Sequence, residues 1–240
     1  MSSAATGSTD ERNSDGRPEP AGSVTQQVKK RRGPRNDVDV RDVILDVTEA
    51  MAGHTNPDAV SLRAIAREAN VAPRALSYYF ATKRDLLEAV IQRRSGMISE
   101  SIKERLVPLH DREGAVTIRE AVDTVLLPIV ELIEREPVAG VRWMRVFSTL
   151  SQTEDPSRVA LAGFDPEVIG MLRKVMGRAL GGAPDAGARH RIMLGMLGML
   201  EALTRVDRPV YGQPLRESGL DSDFVEQLAI FTSAGIAGRT

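Results

Sequence analysis

The 240-residue chain has no cysteine, which excludes disulfides, thiolate nucleophiles and cysteine-ligated metals. Histidine is scarce as well. His54, His110 and His190 lie far apart without an i, i+4 pairing, so they read as solvated or capping residues; no metal and no cofactor is expected. No apolar run reaches the roughly 18 residues of a membrane span. The first residues are polar rather than charged and then apolar, so a cytoplasmic protein without membrane association is expected. Aromatics make up only 4% of the chain. No nucleophile–base–acid set, phosphate loop or carboxylate pair stands out, which argues against an enzyme. Sustained period-two alternation is also missing, leaving an all-α reading of about nine helices.

What is present is enough apolar material for a real core, 42% of residues, and an uneven distribution of charge. The net charge is −1. Residues 1–28 carry two Arg against four acids, residues 29–94 carry 13 Lys and Arg against nine acids, and residues 95–240 carry 17 against 20. Positive charge therefore gathers near the N-terminal third.

Up to about Val28 the chain is Ser, Thr, Gly, Pro and acids, too poor in large apolar residues to offset the entropy of ordering. Residues 1–36 are expected to form a disordered tail ending in the basic run Lys29-Lys30-Arg31-Arg32-Gly33-Pro34-Arg35. That run is either a solvated tail or an arm whose Arg32 and Arg35 reach DNA phosphates or a minor groove.

Val40, Val43, Ile44, Val47 and Met51 then fall on one helical face, and Gly53 is expected to stop that helix. Ser61 is placed as the N-cap of a second helix burying Leu62, Ile65, Ala66 and Ala69. Asn70 tolerates a left-handed turn, and Pro73 suits the first position of a third helix. Two short helices joined this way make a helix-turn-helix. Thr82 and Asp85 open a fourth helix, expected to end near Leu106 ahead of Pro108. Thr117-x-x-Glu120 is a capping box for a helix to about Glu136, with a kink expected at Pro128. Further helices are expected over 137–152, 166–180, 184–206 and 221–237, with Gly181-Gly182 breaking the chain.

The stretch Ser61-Leu62-Arg63-Ala64-Ile65-Ala66-Arg67-Glu68-Ala69-Asn70-Val71, followed by Leu76-Ser77-Tyr78-Tyr79-Phe80-Ala81-Thr82-Lys83-Arg84-Asp85-Leu86, closely resembles the DNA-binding segment of tetracycline-repressor (TetR)-type transcriptional regulators. The resemblance covers roughly residues 40–92. It implies a helix-turn-helix DNA-binding domain over 37–94, joined through a long fourth helix to a helical effector-binding and dimerisation domain over 95–240. It further implies a homodimer that binds a pseudo-palindromic operator, acts as a repressor and releases DNA on binding a small molecule.

On this reading Pro73 starts an exposed recognition helix. Arg74 can bond a guanine edge bidentately, Ser77 can bond either partner, and Ala75 can meet a thymine methyl. Tyr78 and Tyr79 reach phosphates, as do Lys83 at the next helix start and Ser61 and Arg63 on the second helix. The segment departs from the family where Asn70 replaces Gly, Ala72 replaces Ser, Ser77 replaces Tyr and Tyr79 replaces His.

In the C-terminal half, Gly195, Gly198 and Ala202 line one side of a helix and Met193, Leu197, Leu200 and Thr204 the other. The small side, with Ala229, is a candidate dimer face. The bulky side, Met193 and Leu197, is a candidate pocket wall with Trp143, Met144 and Phe147, although these three are core candidates first. An architectural DNA-binding protein without a ligand is the alternative, separable by steep salt dependence and little sequence preference.

Overall fold

The structure, a computed structural model, describes residues 37–54, 57–153 and 164–238. The tail and its Arg32 and Arg35 lie outside the described residues. Nine α-helices and one very small hairpin are present among those described: α1 Asp37–His54, α2 Leu62–Glu68, α3 Pro73–Tyr79, α4 Lys83–Asp111, α5 Ile118–Arg135, α6 Pro137–Thr153, α7 Pro166–Ala179, α8 Ala186–Leu203 and α9 Ser222–Ala237. The fold is all-α.

Helix α1 is the hub of the N-terminal part, because it packs on α2, α4 and α6 at once. Its buried side chains are Ile44, Leu45, Thr48, Glu49 and Ala52, whereas Val43 stays exposed. The apolar stripe seen in sequence is thus rotated in the fold, since α1 is covered from more than one side.

Gly53 does not stop the helix, which runs on to His54. A Cβ at Gly53 would lie 2.6 Å from Arg142 Cα, so the glycine sets the contact distance between α1 and α6 instead. Arg145 of α6 closes the same seam. Its Nη1 donates to the Gly53 carbonyl at 2.8 Å, its Nε to the Thr204 carbonyl at 2.9 Å, and its Nη2 pairs with Asp207.

Helix α4 is a single 29-residue rod. Its start is a full capping box: Thr82 N–H donates to Asp85 Oδ2 at 2.9 Å and Asp85 N–H to Thr82 Oγ1 at 3.1 Å. Its end passes Pro108 rather than stopping before it. One turn from a terminus a proline forfeits a single helical bond. The final carbonyls are meanwhile taken up by Arg178, which donates to those of Leu109 and His110 at 2.9 Å each.

Ion pairs bind α4 to α1, with Arg93 on Asp46 at 2.6 Å and Arg94 on Glu49 at 2.9 Å; Arg94 also reaches Glu136 at 2.6 Å. Burial pushes the Glu49 carboxyl up from its ordinary value, and the Arg94 charge opposes that rise. The indole N–H of Trp143 donates to the Ile91 carbonyl at 3.1 Å, tying α6 to the N-terminal third of α4.

Helix α5 opens on the expected Thr117–Glu120 capping box and continues past Pro128 to Arg135. Helix α8 packs along α9, and their connection carries the hairpin, in which β1 Leu215–Arg216 pairs antiparallel with β2 Gly219–Leu220. Strands of two residues show no alternation to read, which is why this hairpin has no sequence signature.

Candidate nucleic-acid interface

Helix α2 begins where Ser61 Oγ accepts the Ala64 amide at 3.2 Å. After α2 the chain turns through Asn70 at φ 52°, the left-handed conformation that asparagine tolerates. The Val71 amide donates back to the Ala66 carbonyl at 2.9 Å and closes the turn. Ala72 caps α3 without any side-chain bond, so Pro73 at the first position fixes its start.

Two side chains hold α3 to the body: Leu76 is 1% exposed and Phe80, at its C-cap, 4%. With 76 and 80 turned inward, helical spacing throws 74, 77 and 78 outward on a shared face. Arg74, Ser77 and Tyr78 are indeed exposed, Tyr78 by 83%, as is Pro73 at the helix start. Ala75 and Tyr79 are half-buried. Tyr79 packs edge-on to Tyr78 at 5.2 Å and also meets Phe80 at 6.5 Å, which stiffens the C-terminal end of the helix. No carboxylate occurs in α3, so its outer face offers a guanidinium and hydroxyl groups and no negative charge.

Around that face, Arg63 and Arg67 stand exposed on α2, while Ser61, also exposed, has its hydroxyl engaged in the cap. Lys83 is half-buried at the first position of α4, and Arg84 is paired with Glu88 at 2.8 Å. Arg41 of α1 was not anticipated. Its guanidinium lies 5.6 Å from the Phe80 ring centroid, beside the end of α3. Only tertiary packing joins residues 41 and 80, so no local pattern could have shown it.

Residues 44–90 match the family profile described as bacterial regulatory proteins, tetR family. Over that segment the chain carries the tetR-family signature. Solved structures similar to this chain include a TetR-family transcriptional regulator from Streptomyces coelicolor, 21% identical, covering 83% of this chain and 97% of that one at a TM-score of 0.47. A TetR-like transcriptional regulator from Rhodococcus sp. RHA1 is 22% identical over 87% and 100%, with a TM-score of 0.49. The fatty acid degradation regulator FadR from Bacillus halodurans is 16% identical over 88% and 100%, with a TM-score of 0.46. No curated protein matches the chain.

The C-terminal residues singled out in sequence are spread over core and surface. Trp143, Met144 and Phe147 are buried in the core, with Trp143 stacked on Phe147 at 5.4 Å. Met193 is exposed and Leu197 half-buried. Ala202 and Ala229 are buried inside the subunit, and a Cβ on Gly195 would come 2.8 Å from Ile236 Cγ1, so Gly195 sets the close approach of α8 to α9. Of the four small residues only Gly198 faces open space.

The large apolar residues that α8 and α9 leave exposed are Met193, Leu194, Ile230 and Phe231. Leu194 and Phe231, at 74% and 77% exposure, and Ile230 are the ones sequence reasoning missed. They sit inside apolar runs in which periodicity alone does not say which face is outer. Among the described residues no helix is long and apolar enough to cross a membrane, and no three His, Asp or Glu side chains gather as a metal site.

Proposed function

We propose that this protein is a homodimeric transcriptional repressor that binds a pseudo-palindromic operator and is released by a small-molecule effector. The observation that carries the reading is the α3 face: Arg74, Ser77 and Tyr78 project outward from a helix anchored by Leu76 and Phe80. Such a helix fits a major groove, where Arg74 donates bidentately to a guanine edge, Ser77 bonds a neighbouring base and Ala75 offers a methyl to thymine. Tyr78, Tyr79, Lys83, Ser61 and Arg63 fix the register on the phosphates, with Arg32 and Arg35 of the N-terminal arm extending the grip.

In this division residues 1–36 form the arm, 37–94 read DNA, and 95–240 bind the effector and dimerise. Exposed Leu194, Ile230 and Phe231 on two adjacent helices support self-association through α8 and α9, because large apolar side chains clustered at a surface favour burial against a partner. The effector acts by binding more tightly to the head spacing that does not fit the operator.

Selection of binding sites from random duplex DNA, followed by a salt series on the best site, tests the reading. A palindromic site is expected. Arg74→Ala should relax it at one base position at a cost of about 1–3 kcal/mol. No enriched site, with affinity tracking only salt, would sink it in favour of architectural binding.

A further inference from the structure

Another cation-rich surface lies at the opposite end of α4 from the recognition helix. The last turn of α4, the loop after it, the end of α7 and the Gly181-Gly182 turn border an open cleft of about 830 Å3, lined by His110, Val116, Arg173, Lys174, Arg178 and Pro184 together with small residues. This volume is in the range of small-molecule sites, roughly 300–1,000 Å3. No Asp or Glu lines the cleft.

Its three fixed cations have different duties. Arg178 donates to the carbonyls of Leu109 and His110 at 2.9 Å, of Gly114 at 2.8 Å, and of Arg112, so its charge answers the negative end of α4. Arg173 and Lys174 are exposed and have no ion-pair partner among the described residues. Between them and the α4 end the lining is apolar, made of Ala115, Val116, Ala183 and Pro184. Gly181 and Gly182, at φ 83° and 151°, carry no side chain to fill the opening, and a Cβ on either would meet nothing within 4 Å.

We propose that this cleft binds an amphipathic organic anion, with the carboxylate on Arg173 and Lys174 and the apolar body against Val116 and Pro184, and that this anion is the class of effector to which the protein responds. The second half of that statement rests on the ligand-responsive reading above. None of Trp143, Met144, Phe147, Met193 and Leu197 lines the cleft.

A route to the DNA head exists in α4 itself. Arg178 hooks the end of that rod, and at about 1.5 Å per residue its 29 residues span roughly 44 Å to the Thr82 cap just after α3. A ligand that binds the cleft better when the rod is displaced shifts the heads away from the operator spacing.

Full-length protein is titrated calorimetrically with octanoate, 1-octanol and octylamine, alongside the Arg173→Gln/Lys174→Gln variant, whose exposed substitutions leave the core intact. Octanoate is expected to bind the wild type saturably and the variant at least about tenfold more weakly, as the loss of two charge-assisted contacts requires. The neutral and cationic probes should bind neither protein as well. Equal octanoate affinity in both proteins, no octanoate binding, or octanol binding as tightly as octanoate would each overturn the anion site.

Operator affinity is then measured with and without octanoate. A loss in the wild type that is absent in the variant supports the effector role, and unchanged DNA affinity with octanoate bound overturns it. Failure of either protein to bind DNA without octanoate would strike the regulator reading alone, since the calorimetry decides the anion site independently.

Discussion

Gly53 shows how much one missing side chain can decide. A methyl group there would collide with backbone and side-chain atoms of Arg142, and the clash is relieved only by moving α1 away from α6. Gly53→Ala is therefore expected to destabilise the protein by about 1–3 kcal/mol, the usual cost of overpacking, with a fall in Tm of several degrees in a thermal melt. The same residue marks a limit of sequence reading. Glycine serves both where φ is positive and where two backbones approach closely. Its neighbour here lies 89 positions downstream, so the first use was read and the second was built. Asn70 is the opposite case, because its left-handed φ of 52° follows from local chemistry alone.

Among the elements, the caps were legible and the interior limits were not. Ser61, Thr82 and Thr117 each accept the amide three residues on, because a side-chain oxygen beside an unpaired helical N–H is a local arrangement. The end of α4 depends on Arg178 from a distant helix, and the inward face of α1 on a cover by α6 that no nearby residue announces.

The α5 cap also yields a pH dependence. The Thr117 backbone N–H at 2.8 Å, then Arg112 at 2.7 Å and the Thr117 hydroxyl at 2.9 Å, hold the Glu120 carboxyl down to about 2 from an ordinary 4.5. A carboxylate depressed by folding contributes its stability in full above about 4.5 and loses it as the pH falls towards 2. Glu120→Gln should consequently be less stable at neutral pH and show a flatter loss of stability over that acid window, measured by urea unfolding at a series of pH values. An acid limb identical to wild type would remove Glu120 from the account.

At the scale of the whole molecule, the reading turns on the outer faces of α8 and α9. Leu194→Asp or Phe231→Asp places a charge where an apolar partner is expected, and each should convert a dimer into monomers by light scattering at micromolar concentration. Operator affinity should fall with it, because each head alone keeps only half of the contacts. A variant that stays dimeric would move the interface elsewhere.

The seam at Arg145 carries a practical consequence. One guanidinium holds the end of α1, the end of α8 and Asp207 together, and Gly53 rests against Arg142 beside it. A DNA-reading head is often treated as an interchangeable part, to be grafted onto a different sensor. Here residues 37–94 taken alone would leave behind the helix that covers α1 and strand the Gly53 carbonyl without its donor. A working chimera would have to carry α6 across with the head, or find on the recipient a helix that approaches Gly53 as closely and brings an arginine to its carbonyl.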